Sequence, residues 1–108
     1  MTSEMIEHDI SEIIKKQVSS VLPAVKILIF GSRARGDFKY ASDYDIMIVT
    51  KNTIAAREKI KLCSSVAKRL ASCGIDADVL MNSEEEIKSK KELRGHIVRT
   101  VMKEGVAI

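Results

Sequence analysis

Residues 29–49 read IFGSRARGDFKYASDYDIMIV. An apolar run stops at Gly31-Ser32, and ten residues after the serine Asp43 and Asp45 open a second apolar run. Short apolar runs bounded by turn formers are the pattern of buried strands. VKILIF (25–30) is then one strand and DYDIMIVT (43–50) another. Between them SRAR is long enough for a short helix, and GDFKYAS is rich in turn residues. Alternate residues of a strand share a face, so Asp43 and Asp45 point the same way, about 7 Å apart along the chain. What two carboxylates do at the head of a buried strand, opposite a Gly-Ser turn, depends on what surrounds them.

Upstream, residues 4–22 carry Ile6, Ile10, Ile13, Ile14, Val18 and Val21 at three-to-four spacing, the mark of an amphipathic helix, and Pro23 closes it. Downstream, residues 54–73 repeat apolar positions at Leu62, Val66, Leu70 and Cys73, with Ala67 and Ala71 alongside, and Gly74 supplies the C-cap. IDADVLM (75–81) is a third strand. Ser83 and Glu86 form a capping box that opens one last helix through Ile87, Leu93, Ile97, Val98 and Val101. The acids Glu84 to Glu86 at its start, followed by Lys88, Lys90, Lys91 and Arg94, suit the helix dipole without any ligand. Gly105 ends that helix, and VAI adds a short final strand. There is no repeat, linker or low-complexity segment, so residues 1–108 are expected to form a single domain.

The fold class expected is α/β (α+β), a small mixed sheet flanked by helices. The strand-helix-strand unit over 43–81 implies parallel strands joined by a right-handed crossover. The 12-residue turn after the first strand lets that strand run antiparallel to the second. Gly31-Ser32, Asp43 and Asp45, and Asp76 and Asp78 then meet at one end of the sheet. Carboxylates held this close repel one another, and a divalent cation removes the conflict. Magnesium takes oxygen ligands and keeps several waters, so two or three aspartates with substrate phosphates satisfy it. Two such ions about 4 Å apart clamp the attacking and leaving oxygens of a phosphoryl displacement. At Gly31 the backbone can approach a phosphate closely, Ser32 adds a hydroxyl, and Arg33 and Arg35 add positive charge.

Each piece alone is ordinary. A DxD that opens a strand commonly faces solvent, Gly-Ser after a strand is a common turn, and the arginines can pair with nearby aspartates. The combination is rarer: at average usage G-S-x10-D-x-D occurs in roughly one chain of this length in a thousand. Bulk properties narrow the choice further. With 4% aromatic residues and no Trp, the chain lacks stacking platforms for single-stranded nucleic acid, which argues against direct nucleic-acid binding. The net charge of +3 is spread along the chain and reads as a solvated surface. Cys63 and Cys73 form no CxxC pair, and His8 and His96 stand at no metal spacing, so zinc is not expected. Without a signal-peptide core or a run of roughly 20 apolar residues, the expectation is a cytoplasmic protein with no membrane partner.

At GSRARGDFKYASDYDIMIV the sequence resembles the nucleotidyltransferase superfamily that includes DNA polymerase β, and more closely the minimal nucleotidyltransferase (MNT) domains. DADVLM resembles the later strand that carries the family's third carboxylate, and the helix lengths and closing KEGVAI extend the likeness over nearly the whole chain. The resemblance implies a polymerase β-like fold, with Asp43, Asp45 and Asp78 as catalytic residues and metal ligands. Asp78 would help activate the attacking hydroxyl, with Asp76 its competitor. Gly31 and Ser32, with Arg33 and Arg35 from the same turn, would bind the nucleotide. It implies Mg²⁺ as cofactor, two ions in the expected arrangement, and ATP as substrate. MNT domains commonly pair with HEPN proteins in toxin–antitoxin systems. The implied function is therefore an antitoxin that transfers AMP from ATP to a tyrosine of a HEPN RNase toxin. The alternatives are an antitoxin that neutralises by binding alone, and a nucleotidyltransferase acting on a small molecule or on RNA. Either a homo-oligomer or a hetero-oligomer with the toxin fits these readings.

Overall fold

The structure is a computed structural model, and it describes residues 8–22, 25–31, 43–93 and 95–108. The expected helix over 4–22 appears as α1, His8–Ser19, with residues 4–7 outside the described part. Strand β1 is Lys26–Phe30 and β2 is Tyr44–Thr50. Helix α2 is Ala56–Ser72, followed by β3, Ala77–Ser83. Helices α3 (Glu84–Lys90) and α4 (Ile97–Glu104) precede the two-residue strand β4, Val106–Ala107. The short helix expected at SRAR and the turn after it lie outside the described residues.

The four strands lie in the order β3-β2-β1-β4. Strand β2 pairs parallel with β3 and antiparallel with β1, and β4 pairs antiparallel with β1 along its other edge. The sheet is therefore mixed, as expected. Because β2 is central and covered on both sides, its side chains from Ile46 to Thr50 are all buried, which is why its sequence is continuously apolar rather than alternating. On one face Ile29, Ile46 and Ile48 pack with Ile14 and Val18 of α1 and with Val66 and Leu70 of α2. On the other, Phe30, Met47 and Val49 pack with Ile87 of α3 and with Val98 and Val101 of α4.

The single last helix expected from the apolar spacing is divided in two. Gly95 has φ +73°, in the left-handed region that a right-handed helix cannot contain. The helix restarts at Ile97, where the Val98 N–H donates to Nδ1 of His96 at 3.1 Å as a new N-cap. The division lets α4 turn Val98 and Val101 onto the same sheet face as Ile87. Apolar spacing carries on across Gly95 and hides this break. At the end of α2, the N–H groups of Gly74 and Ile75 donate to the carbonyls of Ala71 and Leu70, each at 2.9 Å. That is the reciprocal closure of a Schellman motif, with Ile75 and Leu70 buried together.

The capping box is present as expected. The Glu86 N–H donates to Oγ of Ser83 at 3.1 Å, and the Ser83 N–H donates to Oε1 of Glu86 at 2.9 Å. Ser83 is fully buried, shares a 2.7 Å hydrogen bond with Thr53, and pairs in register with Thr50. Lys59 of α2 closes the cluster with a salt bridge to Glu86, and Lys90 stands 3.7 Å from the same carboxylate. Burial opposes the charge on Glu86, but the Lys59 ammonium, the Ser83 N–H and Lys90 together outweigh it and hold the carboxyl below its ordinary pKa. A carboxyl lowered on folding adds stability above its unfolded pKa and loses it as pH falls through the folded value. Melting wild type and Glu86→Gln from pH 7 to pH 3 is expected to show the widest gap in midpoint at neutral pH. The gap should narrow below about pH 4.3, the ordinary glutamate value. A constant gap would show that the charge of Glu86 does not act in this way.

Candidate active site

The register settles which expected residues meet. Asp45 pairs with Phe30 on one side and with Asp78 on the other. Strand neighbours in a sheet lie about 4.8 Å apart, so Asp45 and Asp78 stand side by side on one face. Asp43 immediately precedes β2, one pleat period before Asp45. Further along the same rows are Met47 and Val49 on β2 and Leu80 on β3, where the apolar contacts of α3 and α4 begin. Two of the expected carboxylates thus occupy the start of a surface whose other end is packed core. Asp43 and Asp78 are exposed, and Asp45 is half-buried.

Gly31 follows β1 directly and has φ +73°. A Cβ built there would overlap Oδ2 of Asp45 and lie 3.2 Å from its Cγ. The glycine is needed for its backbone angle and for this close approach. The turn therefore starts against the Asp45 carboxylate, and anything seated on the Gly31 backbone lies beside that carboxylate. Ser32, Arg33 and Arg35, the other expected nucleotide-binding residues, lie outside the described residues.

Asp76 sits elsewhere than its competitor Asp78. Its backbone carbonyl accepts the Tyr44 N–H at 2.9 Å and ties the entrances of β2 and β3 together. Its side chain lines a surface groove against α2, together with Asp43. The sequence reading missed this groove. Its signal was the row Ser64, Ala67, Lys68 and Ala71, small or polar residues on one side of α2, a spacing equally suited to a helix face packed on a sheet.

The donor set at the strand heads is all oxygen, which suits a hard cation and disfavours zinc. Among the described residues, no three acid, imidazole or thiol side chains gather into a closed metal cage. Magnesium rarely uses such a cage: one or two carboxylates, waters and substrate phosphates complete its octahedron. Asp45, its neighbour Asp78 and the nearby Asp43 fit an open site of that kind, with the close-approach glycine marking where phosphates would enter. Both cysteines are free, Cys63 half-buried and Cys73 exposed, and burial pushes the Cys63 thiol up, partly offset by Lys59.

The chain belongs to the family described as polymerase beta, nucleotidyltransferase, which matches residues 7–108. It is 31% identical over 105 residues to a Methanocaldococcus jannaschii relative named "Putative protein adenylyltransferase MJ0141". That match covers 93% of this chain and 99% of the relative. Among solved structures, a toxin–antitoxin complex with AMP-PNP aligns with a TM-score of 0.62 at 20% identity, over 89% of this chain and 69% of that one. A complex of a tri-AMPylated Shewanella oneidensis HEPN toxin with an MNT antitoxin aligns with a TM-score of 0.57 at 17% identity, over 99% of this chain and 71% of that one. At these identities the structural likeness is one of fold. The family and fold that the GSx10DxD resemblance implies are therefore met. Among the described residues no helix is long and apolar enough to cross a membrane.

Proposed function

We propose that this chain is a magnesium-dependent adenylyltransferase that moves AMP from ATP to a tyrosine hydroxyl of a HEPN-type partner, acting as its antitoxin. The observation that carries the reading is the Asp45–Asp78 register pair, with Gly31 packed against Asp45. The names of the M. jannaschii relative and of the toxin–antitoxin neighbours support the choice of a protein acceptor and of ATP. In the reaction the acceptor oxygen bonds to the α-phosphorus of ATP, the bond from that phosphorus to the β-bridging oxygen breaks, and pyrophosphate leaves. The hydroxyl proton passes to a carboxylate, for which Asp78 is placed on the exposed edge strand. Bound magnesium would neutralise the carboxylates and draw charge from the phosphates. Asp43 and Asp45 would hold it. The Gly31 backbone would seat the triphosphate, joined by Ser32, Arg33 and Arg35.

Incubating the protein with ATP, Mg²⁺ and the HEPN-type protein encoded beside it is expected to add one or more AMP masses to that protein. Intact-protein mass spectrometry reads the outcome. A partner left unmodified while ATP is demonstrably bound would overturn the catalytic reading and favour neutralisation by binding alone. Label passing to RNA or to a small molecule, with none on protein, would move the assignment to those acceptors.

A further inference from the structure

The groove beside Asp43 has no role in holding the fold together and none in the nucleotide site described above. It has a volume of about 370 Å³ and runs between α2 and the entrances of β2 and β3. One wall is the α2 row of Ser64, Ala67, Lys68 and Ala71. The facing methyl is that of Ala77, and Asp43 and Asp76 stand at the polar end. The groove exists because Ala67, Ala71 and Ala77 stop at a methyl where longer side chains would fill the space. Among the described residues, Lys68 has no ion pair, unlike Lys59 and Lys90, which are bound to Glu86.

We propose that this groove is the acceptor subsite, receiving the aryl-alcohol side chain of the protein segment to be modified. The inference rests on the adenylyl-transfer reading above and adds the place where the acceptor lies. A tyrosine is an apolar ring with a polar tip, and the groove has that same division. The ring lies on the three alanine methyls, and the phenolic O–H donates to the Asp43 carboxylate. Asp43 belongs to both surfaces, so a hydroxyl held there stands at the edge of the carboxylate row that leads to Asp45 and Asp78. A serine or threonine side chain would leave the methyl floor bare. The Lys68 ammonium offsets the charge of the two carboxylates and is available to a carbonyl or carboxylate of the incoming segment. Ser64 adds a second hydrogen-bonding group at the rim.

The test has two arms. In the first, the ¹⁵N-labelled protein is titrated with N-acetyl-L-tyrosinamide to about 20 mM, enough to detect the millimolar affinity of a fragment. The expected result is saturable shifts at the amides of Ala67, Lys68, Ala71 and Ala77, absent with N-acetyl-L-serinamide and weakened at least tenfold in Ala71→Leu. Ala71 is exposed, so the leucine fills the groove without entering the core, and the spectrum itself reports that the variant is folded. In the second arm, AMP transfer to the HEPN-type protein is measured with Ala71→Leu. The acceptor KM is expected to rise at least tenfold while the ATP KM stays within twofold. Shifts absent or confined to other residues, or an unchanged acceptor KM, would overturn the subsite. If wild type transfers AMP to no protein, the functional reading falls by itself, while the titration still decides whether the groove takes an aryl alcohol.

Discussion

Replacing Asp43 and Asp45 together with alanine is expected to lower AMP transfer by on the order of 10³-fold or more, while the thermal midpoint stays within a few degrees of wild type. Removing a single preorganised electrostatic group from a polar reaction commonly costs about 10²- to 10³-fold. Here the cation that would neutralise the phosphates loses two of its holders at once. Asp43 is exposed and Asp45 only half-buried, and β2 keeps its apolar run and both pairing partners. The loss should therefore appear as chemistry rather than as unfolding. Asp45→Asn, which keeps shape and removes charge, should show the same direction of effect. Magnesium titration of the transfer rate is the decisive companion measurement: the metal concentration for half-maximal rate should rise in the single variants. A double variant that still modified the partner at the wild-type rate would remove these carboxylates from the mechanism.

Gly31→Ala is the second large effect, and its cause is steric. At φ +73° any residue with a Cβ bears a backbone cost of about 1–2 kcal/mol. Gly95 has the same φ with nothing within 4 Å of an added Cβ, so Gly95→Ala carries that backbone cost alone. At Gly31 the new methyl also meets the Asp45 carboxylate, which must move or force the turn away. A displacement near 1 Å at a reacting centre costs about 10²-fold in rate. The expected contrast is therefore two variants of similar stability, with transfer reduced about 10²-fold in Gly31→Ala and nearly unchanged in Gly95→Ala. Equal activity in the two would mean that the Gly31–Asp45 approach does not matter to the reaction.

Much of this arrangement is legible in the sequence because its causes are local. The unbroken apolar run after Asp45 marks a strand covered on both faces, and the order of strands and helices implies that β2 and β3 run parallel. With β1 reversed, the glycine and the aspartates have to meet at one end, as the register shows. The Ser83–Glu86 box is visible for the same reason: both partners lie within one helical turn. What escaped depends on distant parts of the chain. The boundary of β3 runs two residues later than its apolar run, because Asn82 and Ser83 pair with Val49 and Thr50. Gly95 breaks the last helix without interrupting its apolar spacing. The alanines of α2 give no hint whether a helix face is packed or bare until the partner surface is known, so the groove beside Asp43 was invisible.

The sheet also divides the labour of its residues along its length. The Thr53–Ser83–Glu86–Lys59 cluster closes the far ends of β2 and β3, and the carboxylates open the near ends. Seven residues of strand separate the two, roughly 20 Å. Sequence changes at one pole should be felt as altered melting, and changes at the other as altered turnover, with little exchange between them. A family built on this plan can change acceptors by rewriting the near end while the clasp at the far end keeps the chain folded. In a saturation-mutagenesis map scored separately for abundance and for activity, the two poles should appear as two distinct clusters of sensitive positions.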